Sequence, residues 1–363
     1  MRPDVPVDEY LRALDAELAM RWSDEPAHVE LHRPPVRPRE SLTLDTLYFG
    51  GGTPSRLGDA GVARMLDVVR SRASLAPGAE VTLEANPDDV SPAAARRWRD
   101  AGVTRISLGV QSFDDNALEW MRRVHDSERA ERAVGELREA GLENLSIDLI
   151  FALPESIGRS WQRDVERALA IAPPHISLYG LTIEEKTPLG RQHARGEVIE
   201  APEEQYERDF LLAHDAMTSA GLVHYEVSNF GQAGHRSRHN SSYWTQEPYA
   251  AVGPGAHEFT NGARRWNVAS YSDWVARLES GRDPVAGSEH LSAQNIAAET
   301  VYLGLRTIDG LTLLDGEENV IAPWIEAGWA ELVRGSQTVL RLTPLGWLRL
   351  DSLAAVLTEV RSR

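Results

Sequence analysis

Between residue 44 and about residue 181 the sequence alternates between two textures, and no other feature restricts the fold as strongly. Short runs rich in β-branched residues, "LDTLYF", "EVTLEA", "TRISLGV", "NLSIDLI" and "HISLYGL", are separated by stretches with helical spacing. The helical stretches include "DAGVARMLDVVRSRA", "SPAAARRWRDAG" and "SERAERAVGELREAG", the last two ending in a glycine suited to a C-cap. Strand, helix and strand recurring at about 30 residues is the pattern of right-handed βαβ units, which build a parallel sheet. A chain of 363 residues has room for one α/β barrel with an appendage, or for two domains.

The polar residues of this region collect at the strand ends. Gly50, Gly51 and Gly52 follow the first strand and Glu84 stands near the end of the second. Gln111 follows the third, Asp148 lies within "SIDLI", and Tyr179 and Gly180 end the fifth. In α/β barrels the βα loops converge at the carboxyl ends of the strands and build the active site there. Each residue alone has an ordinary explanation; Gln111 or Glu84 can simply cap the next helix. Five successive strands delivering such residues to one rim are harder to explain that way. Three consecutive glycines cost entropy to order, so they suggest a backbone that must approach something closely. Asp148 is the most telling single position, because burying an unpaired carboxylate in an apolar strand costs several kcal/mol. Arg123, in "WMRRVH", is a plausible partner for it, while Arg122 fits a solvated surface equally well.

After residue 182 the texture changes. A long helical stretch, "EEQYERDFLLAHDAMTSAG", leads to "HYEVSNF" and then to a polar, aromatic, glycine-rich region at 231–268. From about residue 290 helices flank a short strand pair, which suggests a small α+β, winged-helix-like C-terminal domain. The resulting division is 1–43, 44–230, 231–289 and 290–363, with a proline-rich loop at 32–40. The balance of 38 basic to 55 acidic residues gives a net charge of −17, which argues against a nucleic-acid or anionic-membrane surface. A packing or lid role suits the C-terminal domain better than DNA binding. No apolar window is long enough to span a bilayer, and "MRPDVPVDEY" lacks the regions of a signal peptide, so a cytoplasmic location is expected. The cysteine count is zero.

Eight stretches in register, "GGGTPS", "TLEANPD", "RISLGVQSF", "RRVH", "SIDLIFALP", "HISLYGLTIEEKT", "YEVSNF" and "HNSSYW", resemble the radical S-adenosylmethionine proteins. Within them, they are similar to the family that contains oxygen-independent coproporphyrinogen III oxidase and the HemW haem chaperones. The resemblance spans roughly residues 44–270. It implies a partial (β/α)6-type barrel, here lacking its first strand. The cofactor set it implies for S-adenosylmethionine is Gly51, Gly52, Thr53, Glu84, Gln111, Arg123, Asp148 and Gly180. The glycine loop would lie along the methionine part, Glu84 and Asp148 would hold an ammonium or ribose hydroxyls, and Arg123 would pair with the carboxylate.

The family also implies a [4Fe–4S] cluster on a CxxxCxxC loop that follows the first barrel strand. Here "VPVDEYLRALDAEL" resembles the helix just after that loop, so segment 1–43 reads as helix and loop following a missing cluster segment. The expectation is an in-frame upstream extension carrying the cysteines; without it, the chain should not cleave S-adenosylmethionine.

The HNxxYW stretch resembles the chaperone branch, in which it is linked to haem. His239 would ligate the iron, Tyr243 and Trp244 would lie against the macrocycle, and Asn240 would orient the ring or a propionate. Taken without the family, a hydrogen-bonded loop histidine among core aromatics is the favoured reading of His239. His125 could shape the cofactor pocket, His175 could be structural, and His257 could face the cavity of His239. The expected function is a haem chaperone that passes haem to an acceptor protein, with no nucleic-acid partner and at most peripheral membrane contact through that acceptor. The alternatives are the oxidase itself, or a cluster-less binder of S-adenosylmethionine or a tetrapyrrole.

Overall fold

The computed structural model describes residues 6–22, 42–260 and 262–362; the proline-rich segment 32–40 lies outside them. After helix α1 (Val7–Arg21) come five strands that lie side by side in chain order: β1 (Thr43–Phe49), β2 (Ser74–Ala85), β3 (Arg105–Gln111), β4 (Leu145–Phe151) and β5 (His175–Gly180). Their pairing is parallel throughout, as βαβ alternation requires. Two short strands, β6 (Val223–Glu226) and β7 (Asn229–Gly231), extend the sheet antiparallel beyond β5, with β7 innermost. Among the described residues β1 is the opposite edge and pairs with β2 alone. The intervening helices are α2 (Gly58–Arg70), α3 (Pro92–Ala101), α4 (Asp115–Trp120), α5 (Ser127–Glu139), α6 (Trp161–Ile171), α7 (Pro188–Ala194) and α8 (Glu203–Ser219).

The two faces of this sheet differ in chemistry. Side chains alternate along a strand, so β2 turns Val81, Leu83 and Ala85 to one side and Glu80, Thr82 and Glu84 to the other. On the apolar side Ile106, Leu108, Ile147 and Leu149 pack with Leu66 of α2, Trp98 of α3 and Leu137 of α5, all fully buried. Each such side chain contributes roughly 1.5–3 kcal/mol, so this face drives the assembly. Helix ends reinforce it. The Ser91 hydroxyl accepts from the Ala94 N–H at 3.1 Å to start α3, and Gly102 at φ +104° ends it in the left-handed conformation glycine tolerates.

The concave side is polar. Strand register places Glu84 beside Ser107, Ser107 beside Ser146, Ser146 beside His175 and Asp148 beside Ser177. Closed α/β barrels fill this space with branched aliphatic side chains. Here it holds hydroxyls, carboxylates and imidazoles that must satisfy one another or a ligand.

The region after the barrel contains α9 (Arg238–Trp244), a three-stranded antiparallel sheet of β8 (His257–Thr260), β9 (Ala263–Asn267) and β10 (Val285–His290), and α10 (Tyr271–Glu279). Glu17 of α1 fastens it to the barrel. Its fully buried carboxylate accepts from Arg21 Nε at 2.7 Å, Asn267 Nδ2 at 2.7 Å, the Gly253 N–H at 2.9 Å and Trp274 Nε1 at 2.8 Å.

The C-terminal part comprises α11 (Ala293–Leu305), β11 (Leu311–Thr312), α12 (Glu318–Glu326), β12 (Ala330–Arg334), β13 (Thr338–Leu342), α13 (Pro344–Trp347) and α14 (Leu350–Arg361). The expected hairpin is β12–β13, and the two-residue β11 adds a third strand to it. This part packs on the barrel end: the Val227 N–H donates to the Arg306 carbonyl at 3.2 Å, and the Ile308 N–H to the Tyr225 carbonyl at 3.0 Å. Among the described residues no helix is long and apolar enough to cross a membrane.

Candidate functional site

The glycine loop after β1 is organised around Glu84. Glu84 Oε1 accepts the Tyr48 hydroxyl at 2.7 Å, and Oε2 accepts the Gly51 N–H at 3.2 Å. A Cβ on Gly50 would come within 2.5 Å of the Tyr48 ring and 2.8 Å of Glu84 Oε1, so the crowding that demands glycine there comes from the chain itself. Gly51, at φ +102°, and Gly52 have open space beside them, which leaves room for a ligand to approach the loop closely. Thr53 follows, its hydroxyl accepting from Asn86 Nδ2 at 3.4 Å. Burial pushes the Glu84 carboxyl up, against the two hydrogen bonds that hold it down.

Asp148 sits deeper on the same face. The Ser107 hydroxyl lies 3.0 Å from each of its oxygens, and the Ser146 hydroxyl lies 3.3 Å from Oδ1. Serine hydroxyls therefore stand where the sequence suggested Arg123. Burial drives its pKa up to about 7, the serine hydroxyls oppose that rise, and the nearby Glu84 charge adds to it. Arg123 lies after α4, its N–H donating to the Leu118 carbonyl at 2.9 Å, and its charge is felt by His125. His125 is itself buried, with Nε2 3.1 Å from the Val110 carbonyl.

Gln111 ends β3 at φ +70°, a conformation costing a non-glycine residue about 1–3 kcal/mol and often found where a site is being shaped. The turn beyond it is clamped by buried Asp164, which accepts the Ser112 hydroxyl at 2.6 Å and the Phe113 N–H at 2.9 Å. At Gly180 a Cβ would overlap the Tyr206 ring, so packing within the chain also calls for glycine there.

Helix α9, carrying the HNxxYW stretch, is docked onto the other end of the polar face. Glu80 accepts the N–H groups of Arg238 at 3.1 Å and His239 at 2.9 Å, a carboxylate at a helix start. The Ser237 hydroxyl caps the helix, and the Ser237 N–H donates to the Tyr225 hydroxyl at 3.2 Å. Tyr225 in turn lies 2.8 Å from His175 Nε2, whose Nδ1 lies 2.8 Å from the Ser146 hydroxyl. His175 is thus a buried link within the polar face.

His239 is half-buried and fully engaged. Nδ1 lies 2.8 Å from the Thr46 hydroxyl, Nε2 lies 2.7 Å from the Tyr243 hydroxyl, and the ring stacks on Tyr48 at 5.0 Å. Burial lowers its pKa to about 4, so the imidazole is neutral at pH 7. Tyr48 therefore touches both zones, with its hydroxyl on Glu84 and its ring on His239. Tyr243 meets Tyr249 edge-on at 4.6 Å, and the Arg306 guanidinium covers the Trp244 ring at 4.3 Å. A cleft of about 270 Å³ opens beside Tyr243 and Trp244, walled also by Tyr249, Phe259, Arg264 and Glu299. Asn240 lies half-buried in the first turn of α9. His257 stacks on Trp266 at 5.9 Å and is not part of the cleft wall.

Thr46, Tyr48, Glu80, Ser107, Ser146 and Tyr225 were not singled out from sequence. The signal was present as polar residues at every second position of strands expected to be buried on both faces.

These features, a half-barrel of parallel strands with an open glycine rim and half-buried acids beneath it, define the radical S-adenosylmethionine class of fold. The family model described as the radical SAM superfamily matches residues 38–167. The chain is similar to the haem chaperone HemW of Mycobacterium tuberculosis, 37% identical over 306 residues that cover 84% of this chain and 75% of that protein. It is also similar to HemW of Bacillus subtilis, 32% identical over 85% of this chain and 78% of that one. The solved structure of coproporphyrinogen III oxidase (HemN) from Escherichia coli superposes with a TM-score of 0.78 at 17% identity, covering 98% of this chain and 84% of that chain, and shares the fold. The chain belongs to the HemW haem-chaperone family.

Two groups implied by that family fit this chain differently. For S-adenosylmethionine the residues fit: Glu84 and Asp148 are half-buried acids beneath a loop with open space beside Gly51 and Gly52. For the iron–sulfur cluster they do not, because the 363-residue sequence has no cysteine. Among the described residues no group of three or more His, Asp or Glu is placed to hold a metal either.

Proposed function

We propose that the chain carries haem as cargo, bound through His239 Nε2, and delivers it to an acceptor haem protein in the cytoplasm. The observation that carries this reading is the state of the imidazole. Burial keeps it neutral, Thr46 can accept the Nδ1 proton, and the Nε2 lone pair can accept the Tyr243 hydroxyl. Fixing the far nitrogen of a histidine sets the tautomer a metal needs. When Tyr243 moves away, Nε2 opens toward the aromatic cleft. The cleft falls short of the roughly 300–1,000 Å³ of ordinary ligand sites, so cargo entry requires that movement.

S-adenosylmethionine, when bound, supplies a cationic sulfonium and an amino-acid end at the rim. Glu84 would hold its ammonium beside the Gly51 and Gly52 main chain, with Gln111 and Asp148 on the next strands, Thr53 at the loop end and Arg123 toward the carboxylate. The oxidase alternative draws on likeness of fold alone.

Hemin added to the purified chain should give a shifted, histidine-type Soret band, and His239→Ala should abolish the shift. The band should persist as pH falls from 8 to 5 and fade toward about pH 4, where the proton competes for Nε2. A variant spectrum identical to the parent would remove His239 from the role.

A further inference from the structure

We infer that the cleft beside α9 takes the carboxylate-bearing edge of the tetrapyrrole, with Arg264 exchanging Glu299 for a propionate. This rests on His239 as the iron ligand but adds a residue and a direction to it. Three observations converge.

The first is continuity. Tyr243 is a shared wall: its hydroxyl sits on His239 Nε2 and its ring lines the cleft, so the movement that frees Nε2 also widens the cleft. The second is shape and surface. Tyr243, Trp244, Tyr249 and Phe259 present aromatic area to a flat macrocycle.

The third is charge. A ligand with two carboxylates must find a cation on a chain of net charge −17, and Arg264 is the cation among the cleft walls. Its Nη1 lies 2.7 Å from Glu299 and 3.8 Å from Glu289, and its guanidinium lies 5.9 Å from the Phe259 ring centre. The Arg264 and Glu299 side chains are 36% and 22% exposed, so water reaches the pair. Solvent screens a water-accessible ion pair, so exchanging Glu299 for a ligand carboxylate costs little. The exchange is a swap of ion-pair partners, in which Glu299 returns to solvent.

The test titrates the full chain with hemin and with hemin dimethyl ester, whose propionates carry no charge. Arg264→Ala should weaken hemin roughly tenfold, as losing a charge-assisted hydrogen bond does, and shift dimethyl ester affinity less than about twofold. Its Soret position should not change, because His239 is intact. Glu299→Gln frees Arg264 and should tighten hemin binding while leaving the ester unaffected. Equal weakening of both probes by Arg264→Ala, no weakening of either, or no gain from Glu299→Gln would overturn the assignment. Failure of the His239 reading looks different, because His239→Ala would then keep the parental band with both probes.

Discussion

At the scale of single residues, the polar face is held by groups whose ionisation the fold has displaced, and Asp148 is the one whose shift reaches neutral pH. An ordinary aspartate titrates near 3.9, whereas burial brings this one up to about 7. A carboxyl raised in the folded state keeps its proton while the unfolded chain loses it. Folding stability therefore falls as pH rises from about 4 to about 7 and is level above that. Asp148→Asn should remove that slope. Thermal unfolding of the ligand-free chain between pH 5 and 8 should show a smaller loss in the variant than in the parent, and equal losses would reject the assignment. A cationic ligand should also bind the parent more tightly above pH 7, where Asp148 is ionised. Glu84, Gln111 and Asp148 stood out in the sequence because each is a polar residue in or at the end of an apolar strand, and His239 stood out through the resemblance of HNxxYW. Thr46, Tyr48 and Glu80 did not, because their meaning depends on which strand lies beside which, and spacing along the chain does not encode that. The serines beside Asp148 went unread for the same reason: strand register brings Ser107 and Ser177 to it from the strands on either side.

At the scale of elements, α9 has seven residues and depends on its docking for its shape, since isolated helices this short are not stable in water. Glu80 is the main dock, taking two helix N–H groups that otherwise have no acceptor. Glu80→Ala should cost about 1–3 kcal/mol and speed hydrogen exchange at the Arg238 and His239 amides, with hemin affinity falling in step. Normal protection of those amides would show that Ser237 and Tyr225 suffice. The five parallel strands and the helices between them were legible, because periodicity is strong in long alternating segments. The antiparallel pair β6–β7 and the sheet β8–β10 were not. Their strands are short, lie among glycines and aromatics, and acquire their pairing from packing against the barrel end and α1. The two residues of β11 are too few to leave a pattern at all.

At the scale of the whole molecule, distant segments are joined through buried polar clusters as well as apolar contact. Glu17 binds four groups at once, three of them from residues 253–274, so its loss leaves Arg21 to Glu258 and Asn267 and leaves the Gly253 N–H and Trp274 Nε1 without their acceptor. Glu17→Ala should cost about 1–3 kcal/mol for each orphaned donor, read as a lower urea midpoint, with the β8–β10 sheet loosening before the barrel. A single unchanged transition would mean that apolar packing holds the sheet by itself. One feature of the architecture bears on how such a carrier lets go. The short helix presenting the imidazole is also the stopper of the barrel, pinned to its lumen through Glu80, Thr46 and Tyr48. Surrendering cargo and uncorking the lumen thus draw on the same few bonds, and an acceptor that pries at this helix would loosen the giver in the act of receiving.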